Sequence, residues 1–429
     1  MSARIYLDNA ATSFPKPEAV HQAMIRYATQ VGGTAGRGNY AEAREGARVI
    51  NQCRQRIADF VGAASPDHVI FTLNTTDALN LAIKGVVIDA AIRRPGEPIH
   101  VVTTELDHNS ILRPLHALRE QLGPTFSWTC LNAADSATGR VDPADLSRAI
   151  RPDTVLVATL HASNVTGVLQ PVAEMGRVCR HADVRHHKPG GGVLFLVDAA
   201  QSLGHEPVDV AAMDIDLLAF PGHKGLLGPL GTGGLVIRPG VERHLRPLRE
   251  GGTGSRSELD VQPECLPDRF EPGNAHGVLR AGLSAGVHHL ASNWPLIVEH
   301  DRTLRRVMLD ELASLDALGT TPGRLGLRLL GPTDAQQRVG VFSLVHDALE
   351  PAELALILES QHGVLARAGL SCAPRAHAML GTTASGGALR VSGRSTMHSL
   401  VRVIGPNKSS ASRSRSSLLL SLLLAISGE

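Results

Sequence analysis

The chain has 429 residues, 43% of them hydrophobic, and its 42 Lys and Arg residues nearly balance 41 Asp and Glu residues, giving a formal net charge of +1 at pH 7. This balance excludes an overall basic field for nucleic acid or for an anionic membrane, so we predict neither as a partner. Five widely spaced cysteines do not suggest a disulfide framework; they favour a reducing, cytoplasmic location.

Short apolar strands alternate with helical segments in the first part of the chain. We predict strands at His68–Thr72, Ile99–Thr104, Thr154–Leu160, Val193–Asp198, Asp216–Phe220 and Gly234–Arg238. Several are apolar without alternation, which is typical of strands buried on both faces of a mostly parallel sheet. Helices are predicted at Pro17–Tyr27, at Glu42–Val61, and from Thr75 to a stop near Gly85. Cys53 lies on the apolar side of the second helix and is predicted to be a core residue.

A second block follows a Gly-, Ser- and Pro-rich loop at Gly251–Pro272. It begins with a long helical stretch, about Gly277 to Leu318. We then predict a strand at Val339–His346, a helix at Ala352–His362 and a strand around Gly363–Ala368. The first block predicts an α/β fold with a large, mostly parallel sheet, and the second predicts a smaller α+β domain.

These patterns divide the chain into two domains and a tail. We predict the large domain at residues 15–265 and the small domain at residues 1–14 plus 266–404. Residues 405–429 are predicted to be a disordered or aberrant tail. The tail's apolar run, Leu418–Ile426, is too short for a membrane span, which needs about 20 residues.

One lysine suggests a cofactor. Lys224 follows a predicted strand, in a turn that is preceded by His223 and contains glycines. Asp198 ends another apolar strand, at the sheet edge where α/β proteins bind ligands. Such a lysine and such a carboxylate are the groups that bind pyridoxal 5′-phosphate (PLP), one by a covalent bond and one at the pyridine nitrogen. Without the lysine, Asp198 would be more typical of a helix N-cap. Gln201 is placed to reach the ring hydroxyl.

Other strands also end in polar residues. Thr75 and Thr76 open a helix after a strand, which is typical of an anion site, although Thr is also an ordinary N-cap. His108 and Asn164 each follow a further strand. Because the carboxyl ends of parallel strands meet at one edge of a sheet, we expect these side chains to converge there. No metal site is predicted.

Two residues of the second block complete the candidate site. Cys372 follows a strand among Gly, Ser and Pro, with two arginines nearby in sequence, which favours an exposed, reactive thiol over a buried one. Arg390 stands inside an apolar strand. A buried guanidinium needs an anion, and its planar fork suits a carboxylate.

Taken together, these motifs resemble the class V aminotransferase-fold PLP enzymes, and most of all the cysteine desulfurase and selenocysteine lyase group. The likeness covers about residues 4–394. It rests on Tyr6-Leu7-Asp8-Asn9-Ala10-Ala11-Thr12, Thr75-Thr76, Asp107-His108-Asn109, Ser163-Asn164-Val165-Thr166-Gly167, Asp198-Ala199-Ala200-Gln201, Gly222-His223-Lys224, Arg367-Ala368-Gly369, Cys372-Ala373-Pro374 and Arg390-Val391-Ser392.

The resemblance implies a fold type I homodimer that removes sulfur from L-cysteine through an enzyme persulfide and yields L-alanine. Lys224, Cys372 and His108 would be catalytic, with His108 stacked on the ring. The implied cofactor-binding residues are Thr75, Thr76, His108, Asn164, Asp198, Gln201, His223, Lys224 and Asn274, the last reaching the partner's phosphate. The implied substrate-binding residues are Asn9, Ala10, Asn164, Arg367 and Arg390. A sulfur-acceptor protein is a further implied partner.

The chain departs from the family pattern in two important places. Pro221 stands where Ser or Thr is usual, which removes a hydroxyl from the implied phosphate site. From Gly393 onward the sequence does not match, and we interpret this as a frameshift or a divergent terminus. The alternatives to a desulfurase are a selenocysteine lyase, an epimerase, a transaminase or a non-catalytic PLP-binding homologue.

Overall fold

The computed structural model describes residues 4–35, 38–133, 135, 137–182, 184 and 192–393. The strands, in chain order, are β1 (Ile5–Tyr6), β2 (Val69–Thr72), β3 (Ile99–Thr104), β4 (Phe126–Leu131), β5 (Thr154–Leu160), β6 (Leu194–Asp198), β7 (Leu217–Pro221), β8 (Gly233–Ile237), β9 (Leu327–Leu330), β10 (Val341–His346), β11 (Val364–Leu365), β12 (Arg367–Gly369) and β13 (Ala388–Ser392). The predicted tail and the mismatch after Gly393 lie outside the described residues.

Ten α-helices connect these strands in the described part of the chain. They are α1 (Glu18–Arg26), α2 (Ala41–Val61), α3 (Thr75–Arg93), α4 (Asn109–Leu122), α5 (Pro143–Ala149), α6 (Val172–His181), α7 (Gly277–Ser292), α8 (Trp294–Ser314), α9 (Pro351–His362) and α10 (Pro374–Met379). None of these helices has the length and apolar character that crossing a membrane requires.

The large sheet has seven strands in the order β2-β8-β7-β6-β5-β3-β4. Strands β3 to β7 run parallel, while β8 is antiparallel to both of its neighbours. Every residue of β5 is buried, as expected for a strand covered on both faces. The predicted α/β fold with a large, mostly parallel sheet is therefore confirmed.

Alternate residues of β7 enter two separate cores, one on each face of the large sheet. In β7, Leu218 and Phe220 pack into the core that contains Cys53 from α2. Leu217 and Ala219 point to the opposite face and join the core built around α3. Cys53 is fully buried, so its predicted core position is confirmed. Since side chains alternate along a strand, this division requires the sheet to lie between two helical layers.

A smaller sheet of four antiparallel strands, β12-β13-β10-β9, lies in the second block. The N-terminal segment joins this block, because β1 pairs with β11 and Asp8 forms a bridge with Ser392 at the end of β13. Leu7 enters the core formed with α8 and α9. The chain's first residues thus lie beside the end of β13, and the domain boundaries given above stay a prediction.

Three element predictions were wrong for identifiable reasons. Helix α3 continues past Gly85, where a Cβ atom would lie 2.9 Å from the backbone oxygen of Arg246, so this glycine permits close packing and does not end the helix. The long helical stretch is broken at Asn293 into α7 and α8. The strand around Gly363–Ala368 is two short strands in different sheets. Strands β4 and β9 were not predicted.

Candidate active site

Most of the predicted site residues line one cavity at the carboxyl edge of the large sheet. The cavity and its open mouth together enclose about 740 Å³ of space. Residues that follow the sheet strands line one part: Thr75, Thr76, His108, Asn164, Asp198 and Gln201. The remaining predicted lining residues are Ala10, His223, Lys224, Arg367, Cys372 and Arg390.

Two predicted residues lie elsewhere. Asn9 is buried and serves the backbone: its side chain donates to the carbonyl of Ser392 at 3.1 Å and accepts from the N–H of Phe14 at 3.3 Å. Asn274 is exposed and does not line the cavity. Pro221, the family departure, ends β7 opposite Gly233 and does not line the cavity either.

The turn that carries Lys224 is fixed by close backbone packing. The N–H of Gly228 donates to the carbonyl of Gly222 at 2.7 Å, and the N–H of Leu227 donates to the carbonyl of Lys224 at 3.0 Å. A Cβ atom at Gly225 would lie 1.8 Å from the carbonyl oxygen of Leu203. Only glycine fits there, so the lysine is held against the loop that follows β6.

The N-terminal segment reinforces this turn. The carbonyl of His223 accepts from the Thr12 hydroxyl and from the backbone N–H of Ser13, each at 3.1 Å, and from the Lys16 ammonium at 2.6 Å. The Ser13 hydroxyl also lies 3.0 Å from the carbonyl of Lys224. These contacts join residues about 210 positions apart in sequence and were not predicted.

Burial changes the protonation of the two central groups. Desolvation lowers the pKa of Lys224 to about 8, although the Asp198 carboxylate opposes the shift. Desolvation raises the pKa of Asp198 to about 6, although the N–H of Ala200, at 2.9 Å, and Lys224 act the other way. An amine with a pKa near 8 loses its proton easily, and a buried carboxylate calls for a cationic partner.

His108 is held in one orientation by Ser110. The backbone N–H of Ser110 donates to Nδ1 of His108 at 3.1 Å, which leaves Nε2 as the protonated nitrogen of the neutral ring. Burial, followed by the charge of Lys224, lowers the pKa of His108 to about 4. The Ser110 hydroxyl also contacts Thr76 Oγ1 at 2.8 Å. Ser110 lines the cavity but was not predicted, since its only signal was its place two residues after His108.

The start of α3 provides an anion site. Asn74 caps the helix by accepting from the N–H of Asp77 at 2.9 Å, and Thr75 and Thr76 bring hydroxyls to the helix's positive end. Nδ1 of His223 is buried with no hydrogen-bond partner among the described residues. A lysine, a buried carboxylate, a helix N-terminus and an unsatisfied imidazole nitrogen in one cavity fit PLP.

Cys372 lies in a constrained loop at the cavity wall and is exposed. Ser371 and Cys372 both have left-handed backbones, with φ of 47° and 59°. The Asn164 side chain donates to the carbonyl of Ser371 at 2.6 Å. An ion pair of 3.1 Å between Arg375 and Glu105 ties the start of α10 to the end of β3. The predicted exposure of Cys372 is confirmed.

Arg390 is buried in the cavity wall. It is 2% exposed, and its Nη2 donates to Oδ1 of Asp8 at 2.8 Å. Arg367 lies directly opposite Arg390 in the pairing of β12 with β13. Desolvation lowers the pKa of Arg390, while the Asp8 carboxylate raises it. This part of the cavity suits a carboxylate ligand.

Comparisons with known proteins agree on one family. The family described as Aminotransferase class-V matches residues 5–398. A probable cysteine desulfurase from Methanothermobacter thermautotrophicus is 34% identical over 394 residues, covering 90% of this chain and 89% of the relative. A cysteine desulfurase from Haloferax volcanii is 31% identical, covering 89% and 83% of the two chains.

A solved structure shows the same likeness. The apo structure of a cysteine desulfurase from Thermococcus onnurineus is similar with a TM-score of 0.81 and 28% identity, covering 99% of this chain and 95% of that one. The sequence and structure similarities therefore coincide over nearly the whole chain. The chain belongs to the class V aminotransferase family, within its cysteine desulfurase group, and this family depends on PLP.

Proposed function

We propose that the protein is a PLP-dependent cysteine desulfurase that converts L-cysteine to L-alanine and retains the sulfur on Cys372. The observation that carries this proposal is that Lys224 and the exposed thiol of Cys372 line the same cavity. A lysine alone fits many PLP reactions. A thiol in the same cavity is the group that sulfur transfer requires.

The cofactor would be held by groups from several strand ends. Lys224 would bind it covalently, Asp198 would pair with its ring nitrogen, and Thr75 and Thr76 would bind its phosphate. His108, with Nε2 protonated, would stack on the ring. When bound, PLP withdraws electrons from the bonds next to the substrate's amine.

The substrate would be oriented by its carboxylate. Arg390, with Arg367 beside it, supplies positive charge, and Asn164 lines the same region. Because its pKa is about 8, Lys224 is suited to take the proton from the substrate's α carbon and to return a proton later. Lys224 would thus carry out both proton transfers.

Cys372 would take the sulfur. Its thiolate would attack the sulfur of cysteine, so that a sulfur–sulfur bond forms while the carbon–sulfur bond breaks. The carbon that loses sulfur gains a proton, and the products are L-alanine and a persulfide on Cys372. The electrons of the broken bond remain on the substrate's carbon, so no external oxidant or reductant is required in this half-reaction.

The persulfide must then be discharged, and we propose a sulfur-acceptor protein that reaches the exposed Cys372. We further propose that the chain works as a homodimer in the cytoplasm. The support for that compartment is the chemistry of the cysteines, since all five are free thiols. Asn274, which is exposed, would then meet the partner's phosphate group.

A direct assay tests this function. Purified, PLP-loaded protein is given L-cysteine, and alanine and sulfide are measured with a thiol reductant present. We expect equal amounts of both products, loss of turnover in Cys372→Ala with PLP retained, and loss of covalently bound PLP in Lys224→Ala. Cys265→Ala is the matched control because Cys265 is exposed and does not line the cavity.

The same assay separates the alternatives. Turnover of L-selenocysteine with none of L-cysteine would instead support a selenocysteine lyase. Alanine formation from L-cysteine that survives in Cys372→Ala would contradict the persulfide step. Protein that binds PLP but turns over neither amino acid would support a non-catalytic homologue.

A further inference from the structure

The ion pair between Asp8 and Arg390 is an unexpected feature of the cavity. Arg390 is 2% exposed, whereas the Asp8 side chain is 23% exposed. The 2.8 Å hydrogen bond to Asp8 gives the buried guanidinium a negative partner without any substrate. A buried cation is costly unless it is paired, so this contact stabilises the charged form of Arg390.

The pair is built into the fold. Asp8 forms a parallel bridge with Ser392, two residues beyond Arg390 on β13. The Asp8 carbonyl accepts from the Tyr6 hydroxyl at 3.1 Å and from the N–H of Ala11 at 3.0 Å. The backbone on both sides of the ion pair is therefore fixed, and the pair is not a chance contact between mobile side chains.

Asp8 accepts a hydrogen bond from only one of the three guanidinium nitrogens of Arg390. The guanidinium of Arg390 donates to Asp8 through Nη2 and makes a longer contact, 3.3 Å, from Nη1 to the carbonyl of Asn164. Its Nε is buried, with no partner among the described residues. A carboxylate prefers two parallel bonds to the fork, so an incoming carboxylate would bind the Nη nitrogens, one of which Asp8 already engages. It would bind beside the negative charge of Asp8, which weakens its attraction to Arg390.

We propose that Asp8 is a specificity-determining residue that competes with the substrate's carboxylate for Arg390 and so limits the affinity of the site for amino acids. This inference rests on the proposed function. In that reaction the substrate and the product L-alanine carry the same carboxylate. A site that bound this carboxylate too tightly would release L-alanine slowly. Such tight binding would not speed the chemical step, because the carboxylate is bound equally before, during and after it. Asp8 reduces that retention and keeps Arg390 paired between turnovers.

The test measures binding and needs no sulfur chemistry. PLP-loaded wild type and Asp8→Asn are titrated by calorimetry with L-alanine and with L-alaninamide, which lacks the carboxylate. We expect Asp8→Asn to bind L-alanine about tenfold more tightly, the effect of removing one nearby charge, and to bind L-alaninamide unchanged. In an Arg390→Gln background, the gain for L-alanine should be much smaller, because there is no longer a guanidinium to compete for.

Controls address folding and general charge. Asp153→Asn is the matched control, because Asp153 also forms a partly buried ion pair, at 3.0 Å with Arg151, away from the cavity. Thermal unfolding shows whether each variant is folded, and Asp8→Ser replaces Asp8→Asn if the latter is not.

Three results would count against the proposal. L-Alanine binding by Asp8→Asn that is unchanged or weaker would overturn it, and so would an equal gain for L-alaninamide. Wild type that does not prefer L-alanine to L-alaninamide would overturn the carboxylate-binding role of Arg390, and this inference with it. A wild type with that preference and no desulfurase turnover would overturn the proposed function alone.

Discussion

The backbone N–H of Asn109 donates to the carbonyl oxygen of Cys372 at 2.9 Å, so the loop of the thiol is bonded to the residue next to His108. Two left-handed residues in that loop cost about 1–3 kcal/mol each, and the contacts from Asn109, Asn164 and Arg375 offset this strain. These contacts fix the loop that places the Cys372 thiol at the cavity wall.

Loss of the Arg375–Glu105 ion pair should loosen this loop. In Arg375→Ala we expect the amide of Asn109 to exchange its hydrogen several-fold faster, because its acceptor is the carbonyl of Cys372. The measurement is site-resolved hydrogen exchange. Arg148→Ala, which breaks an exposed ion pair on α5, is the control. Equal exchange at Asn109 in wild type and Arg375→Ala would show that the ion pair does not hold the loop.

The protonation of Lys224 can be measured without PLP. In the cofactor-free protein, competitive acetylation of Lys224 should have a midpoint near pH 8. In the denatured chain the midpoint should lie at about pH 10.4. Asp198→Asn should lower the midpoint, because Asp198 raises the pKa of Lys224. Mass spectrometry of the labelled peptide gives the values, and a native midpoint near that of the denatured chain would refute the shift.

The same shift has a consequence for stability. The folded protein holds Lys224 neutral more readily than the unfolded chain does, so the unfolded chain binds more protons between the two pKa values. The contribution of Lys224 to stability is therefore fully present above its unfolded pKa and is lost as the pH falls through about 8. Unfolding of wild type and Lys224→Met by denaturant, compared across this range, should diverge in that direction.

Ser110 should strengthen PLP binding. Its hydroxyl contacts both His108 Nδ1, at 2.9 Å, and Thr76 Oγ1, at 2.8 Å. Since each hydrogen bond contributes about 0.5–1.5 kcal/mol, a loss equivalent to one bond in Ser110→Ala should weaken PLP binding by about two- to twelvefold. Fluorescence titration of the cofactor-free protein measures this, with the exposed Ser147→Ala as control. Unchanged affinity would mean that the contacts do not orient the phosphate and ring groups.

The Lys224 turn should tolerate no side chain at Gly225. A methyl group there would collide with the carbonyl of Leu203, so we expect Gly225→Ala to lower the free energy of unfolding by about 2–3 kcal/mol. At Gly251 the nearest atom to a Cβ is 3.5 Å away, so Gly251→Ala should change it by less than about 0.5 kcal/mol. Equal stability of the two variants in urea would contradict this packing.

The local parts of the fold and site were predictable from the sequence. The apolar run that ends in Asp198 is a buried strand, and Gly62 ends α2 with a left-handed φ of 67°. Gly85 was misread because its reason for being glycine, the nearby Arg246 backbone, lies far away in sequence.

Contacts between distant segments could not be predicted in this way. Asp8 and Arg390 are 382 residues apart, and each was noted only for its own motif. Ser110 likewise contacts Thr76 only when α3 and α4 pack together. Residues that position others carry weaker sequence signals than residues that bear the chemistry.

Transfer of the sulfur of L-cysteine to Cys372 can be observed on the protein itself. PLP-loaded protein is mixed with one equivalent of L-cysteine without reductant, stopped with an alkylating agent, digested and examined by mass spectrometry. We predict that the Cys372 peptide gains one sulfur atom, that one L-alanine appears for each sulfur, and that the Cys265 peptide is unchanged. Alanine formed with no added sulfur on Cys372 would contradict sulfur transfer to this thiol.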